Sequence, residues 1–212
     1  LTSKGKKVIS ELREKANEQI KTVLTNVKDE DQDRLVNSMR MIEKILKNEK
    51  EKSKFYNIRS HKPGDIGYIT YRHGVVYANE YQLDESFEAY VAKYMAKFIK
   101  NYDPSKDKLW IVEKGTDIVG SIAIVKVDDT TAQLRWLLVE PYMRNKGIGS
   151  KLMREAIDFC KFHGYQKVIL GTFSDLTIAR KLYSKYGFRL IESKTHQIWG
   201  KNLTEEQWEL IL

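Results

Sequence analysis

At 212 residues and 24.8 kDa the chain is long enough for one domain of ordinary size with an appendage, and its 42% hydrophobic and 11% aromatic content excludes a disordered protein. The net charge of +8 is shared, +4 in residues 1–54 and +4 in residues 55–212, a diffuse excess that is weak evidence for DNA and that attraction to an anionic cofactor explains as well. A single cysteine, Cys160, excludes an internal disulfide and a multi-cysteine metal site, and no apolar run approaches the roughly 20 residues of a membrane span.

Residues 3–26 carry Val8, Ile9, Leu12, Ala16, Ile20, Val23 and Leu24 at helical spacing, continued by Val27, which predicts an amphipathic helix. Asp29, with Gln32 three residues on, reads as the start of a second helix through Leu35, Met39, Ile42 and Leu46. Two helices with one apolar stripe each need a partner, and a homodimer through this hairpin is the simplest one. Lys47 to Lys54 is nearly devoid of apolar residues and reads as a linker, so residues 1–54 and 55–212 are taken as separate domains. Leu1 to Lys7 lacks the apolar core of a signal peptide, which points to the cytoplasm and to no membrane partner.

In the second part, Phe55–Ser60 reads as a strand, Pro63-Gly64 precedes a helix running to about Glu80, and Asp84–Asn101 is another helix. Strands at Leu109–Glu113, Ile118–Val127 and Ala132–Val139 follow, separated by gaps short enough for antiparallel hairpins. A helix from Gly147 to His163, a strand Val168–Thr172, a helix Leu176–Tyr186 and strands Phe188–Ile198 and Lys201–Leu212 complete an α/β (α+β) pattern. That order requires a mixed, mostly antiparallel sheet with helices on both faces. Cys160 falls on the buried stripe of its helix, where it has a packing role.

The segment Leu137 to Gly149 runs from a buried strand through a glycine-containing turn into a helix. Such a turn gathers main-chain N–H groups at the positive end of a helix dipole and can hold a pyrophosphate without a metal. Gly147 and Gly149 would let phosphate oxygens reach the backbone, and Arg144 and Lys146 would add positive charge. Neither G-x-G-x-x-G nor G-K-[ST] is present.

Arg144-x-x-Gly147-x-Gly149 after an apolar strand resembles the acetyl-CoA signature [RQ]-x-x-G-x-[GA] of the GNAT acetyltransferase superfamily, and Ala179 to Phe188 resembles that family's A-x-x-L-Y-x-x-x-G-F segment. The resemblance implies the GNAT fold over residues 55–212 and an N-acetyltransferase that moves the acetyl group from acetyl-CoA to an amine in a ternary complex. It implies that Leu137, Leu138 and Val139 pair with the pantetheine arm, and that Arg144, Asn145, Lys146, Gly147, Ile148 and Gly149 hold the diphosphate. It also gives Tyr183 the position of the general acid that protonates the leaving CoA thiolate. Two departures stand out. Gln133, eleven residues before Arg144, replaces the basic glutamate of some relatives, leaving water, Glu80 or Glu113 for proton removal, and Leu176 stands where many relatives carry asparagine.

Strand alternation puts Arg135 on the face of Gln133, where it would favour an acceptor bearing a carboxylate or form a surface ion pair. His73, Tyr77, Glu80 and Tyr81 share one helix face, in a region that lines the acceptor pocket in the family. Pro63 to Gly67, Arg72-His73-Gly74 and His196 to Gly200 resemble the acetyltransferase half of fusions with MarR-type regulators, and residues 1–54 resemble the dimerisation helices of such a regulator. DNA would be a partner only if a winged helix-turn-helix preceded this chain, with the acetyltransferase part then acting as an acetyl-CoA sensor.

Overall fold

The computed structural model describes residues 3–25, 27, 31, 32, 35, 36, 38, 39, 42 and 56–212. The chain divides into two compact units, Leu1–Lys54 and Phe55–Leu212. In the first, α1 (Ser3–Leu24) leaves Val8, Leu12, Ile20 and Val23 exposed, and residues 31, 32, 35, 36, 38, 39 and 42 are helical again. Gln32 Nε2 donates to the carbonyls of Leu24 and Val27 at 3.2 and 2.9 Å, satisfying acceptors that the end of α1 leaves open. The expected cap at Asp29, the position Leu46 and the linker 47–54 lie outside the described residues.

The second unit contains β1 (Asn57–Ser60), α2 (Asp65–Tyr81), α3 (Glu85–Lys100), β2 (Lys108–Lys114), β3 (Asp117–Lys126), β4 (Thr131–Val139), a 3-10 turn (Pro141–Met143), α4 (Ile148–Phe162), β5 (Lys167–Phe173), α5 (Thr177–Lys185), β6 (Arg189–Ile198) and β7 (Lys201–Ile211). One seven-stranded sheet runs in the order β1-β2-β3-β4-β5-β7-β6. All neighbours are antiparallel except β4 and β5, because α4 carries the chain back across the sheet between them. The mixed sheet flanked by helices is the architecture that the element order predicts.

Alternation along the central strands feeds two cores. Trp110, Val112, Ile122 and Ile124 pack with Leu152, Met153 and Ala156 of α4 on one face. Leu109, Ile111 and Ala123 pack with Ile69 of α2 and with Val91 and Met95 of α3 on the other. Cys160 is fully buried in the first core, where burial pushes its thiol up to about 12 and leaves it inert.

The last hairpin turns on two residues of positive φ, Trp199 (51°) and Gly200 (83°), the pairing expected of a tight hairpin turn. Its tip docks on the start of α3: Asp84 N donates to Trp199 O at 3.2 Å, and a β-carbon at residue 200 would lie 2.7 Å from Asp84 Oδ2. This turn swings the Trp199 ring against Phe87, Tyr90 and Phe173 and so builds one wall of the site described next.

Candidate active site

Between β3 and β4 the register passes from Ser121 opposite Leu138 to Ala123 opposite Arg135, so Trp136 and Leu137 face Ile122 alone. This is a β-bulge, with Trp136 held at φ 51° and its carbonyl accepting from Ser121 Oγ at 2.8 Å. β4 pairs with β5 only over Thr131–Gln133, so the pairing ends before the bulge is reached. Glu140 N donates to Val119 O at 3.0 Å, so by alternation Leu138 faces β3 while the backbone groups of Leu137 and Val139 face the opening. Gly120 permits the close approach on the paired side, since a β-carbon there would sit 2.9 Å from Leu138 O.

The turn after β4 is tied to α2 by two arginine–glutamate pairs. Arg72 grips the buried Glu140 bidentately, Nε to Oε1 at 2.6 Å and Nη2 to Oε2 at 2.7 Å, and these bonds raise the guanidinium pKa. Arg144 donates through Nε to Val139 O at 3.0 Å and through Nη1 to Glu80 Oε2 at 2.7 Å. The chain then passes through left-handed Asn145 (φ 61°) and Gly147 (φ 80°) into α4. No side chain caps α4, and Lys151 N to Gly147 O is its first bond, so the amides of Ile148, Gly149 and Ser150 have no helical partner. An uncapped helix start of this kind attracts an anion.

These features open on a cavity of about 350 Å³ lined by Leu137, Leu138, Val139, Arg144, Asn145, Gly147, Ile148 and Gly149, with Tyr77 and Tyr81 of α2 and Tyr183 of α5. Lys181 and Lys185 of α5 also line it, two cations the sequence reading did not single out although their four-residue spacing on a helix was available. Lys146 lies off this lining, with Nζ 3.8 Å from Met143 Sδ.

A second cavity of about 120 Å³ shares Tyr77, Leu137, Leu176 and Tyr183 with the first, and those residues form the junction. Tyr183 is 6% exposed; burial raises its pKa above the ordinary phenol value and keeps it protonated. Tyr77 is shifted the same way by burial and by neighbouring phenols, Tyr183 first among them. Leu176 gives the junction an apolar contact.

The smaller cavity collects His73, Gln133, Arg135 and Glu205 between Phe87, Tyr90, Phe173 and Trp199. Arg135 Nη1 donates to Gln133 Oε1 at 3.0 Å, Nη2 donates to Tyr90 Oη at 3.1 Å, and the guanidinium lies 4.3 Å from the centre of the Tyr94 ring. Buried Thr172 Oγ1, on the same wall, has no hydrogen-bond partner. His73 Nδ1 lies 2.9 Å from Ile69 O, and burial lowers this histidine to about 4, so the ring is neutral and Nδ1 donates.

Two expectations change. Glu80 lines neither cavity, because its carboxylate is committed to Arg144, and the same pairing turns the Arg144 charge partly toward α2. Glu113 also lies off both cavities, held by Arg59 at 2.6 Å and Lys62 at 3.5 Å beside β1. Glu205 was missed altogether. Among the described residues no group of three or more His, Cys, Asp or Glu is placed to hold a metal ion, and no helix is long and apolar enough to cross a membrane.

Residues 75–188 match the model of the Acetyltransferase (GNAT) family. N-acetylaspartate synthetase of Danio rerio is 35% identical over 89 residues, 42% of this chain and 32% of that protein. N-acetyltransferase 8 of Homo sapiens is 29% identical over 113 residues, 50% of each chain. The match thus spans about a third of the first curated relative and half of the second. Among solved structures, an acetyltransferase of the GNAT family from Staphylococcus aureus MU50 superposes with a TM-score of 0.60 at 23% identity, covering 73% of this chain and 97% of that one. A GNAT family acetyltransferase from Elizabethkingia anophelis with acetyl-CoA bound does so with a TM-score of 0.53 at 19% identity, over 76% and 100%. These two likenesses concern the fold.

Proposed function

The chain belongs to the GNAT acetyltransferase family, and from that premise we propose that residues 55–212 transfer the acetyl group of acetyl-CoA to the amine of a small acceptor bearing a carboxylate. One observation carries the reading: a strand edge that has parted from its sheet neighbour, an uncapped helix start and a buried phenol meet at the junction of two cavities of unequal size. The larger cavity suits the cofactor. The amides of Ile148 to Ser150 would hold its diphosphate, Lys181 and Lys185 add positive charge, and Leu137 and Val139 offer the edge to which an amide-bearing arm can pair.

Acetyl-CoA supplies an activated acyl group. A backbone N–H of the parted strand stabilises negative charge growing on the carbonyl oxygen, and the Tyr183 phenol donates its proton to the departing sulfur. The proton released as the amine becomes an amide restores the phenol by way of solvent. Leu137 and Leu176 give the junction an apolar lining beside the reacting atoms.

Arg135 supports the choice of acceptor, since a guanidinium in a cavity of about 120 Å³ favours a small carboxylate, and the similarity to N-acetylaspartate synthetase points the same way. The exposed stripe of α1 supports pairing of two copies through the first unit, which sedimentation of the whole chain would report. The function is tested by CoA release with a panel of small amines that includes L-aspartate and other α-amino acids. Binding of acetyl-CoA without turnover of any amine would instead fit a sensor attached to a regulator.

Gly147→Val tests the anion site. A β-branched residue at φ 80° is strained by about 1–2 kcal/mol, so the loop should reset its amides. Calorimetry should show acetyl-CoA affinity reduced about tenfold, one lost hydrogen bond to a charged group being about 1.5 kcal/mol; unchanged affinity would move the diphosphate elsewhere.

A further inference from the structure

An amine acceptor is an ammonium ion at neutral pH and must lose a proton before its nitrogen can attack. The glutamates around the site are nearly all neutralised by arginine: Glu80 by Arg144, Glu113 by Arg59, Glu140 by Arg72, and Glu206 by Arg180 at 2.9 Å. A carboxylate held in such a pair is a weak proton acceptor, because protonation breaks the pair. Glu205 is the exception, and of the residues lining the two cavities it is the one carboxylate. It lies on β7 opposite Phe173 and lines the small cavity together with Arg135.

Glu205 has a histidine instead of an arginine. His196 Nε2, on β6, lies 3.2 Å from Glu205 Oε2 without forming a hydrogen bond, and that nitrogen is buried with no partner of its own. At 3.2 Å the two atoms are close enough for a proton to pass between them once the imidazole turns toward the carboxylate. The His196 side chain is 33% exposed and that of Glu205 43%, so a proton taken up by the pair can pass to solvent. The other groups facing Glu205 are Lys194, opposite it in register on β6, and the Tyr90 phenol of α3, whose ionisation Glu205 opposes.

Resting on the acetyltransferase reading above, we propose that Glu205 binds the acceptor's ammonium opposite Arg135 and takes its proton, which His196 relays to solvent, so that the pocket selects zwitterions such as α-amino acids. The N–H bond breaks with its electron pair staying on nitrogen. The proton passes to a Glu205 oxygen, then to His196 Nε2, and the freed lone pair attacks the thioester carbonyl.

The test is Glu205→Gln in the full chain, assayed by CoA release with α-amino acids from pH 6 to pH 10. At pH 7 kcat/KM should fall about 10²-fold, the low end for a general base. The deficit should shrink as pH rises and the amine deprotonates unaided, so the variant's rate should climb with pH more steeply than the wild type's. Aminooxyacetate keeps the carboxylate and presents a nitrogen already neutral at pH 7, so the variant should acetylate it nearly as fast as the wild type. Glu205→Asp should recover part of the rate, and unchanged melting temperature and acetyl-CoA affinity would exclude misfolding. A variant with the wild-type rate and pH profile would reduce Glu205 to a rim ion pair, and loss in His73→Gln with retention in Glu205→Gln would move the role to that histidine; either result overturns the proposal. A wild type that acetylates no amine would instead bring down the acetyltransferase reading itself.

Discussion

Tyr183→Phe should lower kcat by about 10³-fold while acetyl-CoA affinity stays within about twofold, because removal of a general acid costs 10²- to 10⁴-fold and touches the leaving group alone. The ring stays packed between Phe188 and Trp208, 6.0 and 6.4 Å away, so the variant keeps its fold and loses only a hydroxyl. The pH dependence has a definite sign. A general acid is active below its pKa and fails as pH rises through it, and burial places the Tyr183 pKa above the usual phenol value. Activity should therefore climb with pH as the amine deprotonates, with no loss attributable to Tyr183 below about pH 10, the ordinary tyrosine pKa. Stopped-flow measurement of CoA release with calorimetry on the same samples separates the two parameters. A variant with unaltered kcat would make Tyr183 a packing residue.

The position of Tyr183 was legible from a linear motif because it lies on the one short helix that follows β5, Thr177–Lys185. The same holds for the strand-turn-helix of residues 137–149, whose observed boundaries fall within a residue or two of those expected. What could not be read is what distant parts of the chain do to one another. The opening between β4 and β5 depends on a bulge at Trp136, and tryptophan carries no local preference for φ 51°. Packing against Phe98 and the bond from Ser121 impose it. Arg144 read as a phosphate ligand because charge beside a glycine turn suggests one, yet Glu80 arrives from sixty-four residues upstream to engage it. Glu205 was hidden for a similar reason. Alternation along β7 divides Leu203 and Glu205 from Glu206 and Trp208, but which face meets the acceptor follows from β7 lying between β5 and β6, an order set by the whole sheet.

Arg135→Gln carries the other large effect. The guanidinium is held by Gln133 and Tyr90 and stacked near Tyr94, and donors remain on it for a ligand because two of its five N–H groups are accounted for by those bonds. If these donors meet an acceptor carboxylate, glutamine forfeits a charge-assisted pair of bonds at about 1.5–3 kcal/mol each, which predicts at least a 10²-fold rise in KM for an α-amino acid. The matching α-amino amide, which offers no negative charge, should lose far less, and acetyl-CoA affinity should hold. Arg135→Lys should recover little, since an ammonium cannot reproduce a planar fork fixed by two neighbours. Equal losses for acid and amide would mean that Arg135 supports the wall of Tyr90 and Tyr94 and does not bind the acceptor. A loss confined to the acid would leave the arginine as the residue that sets which amines this site accepts.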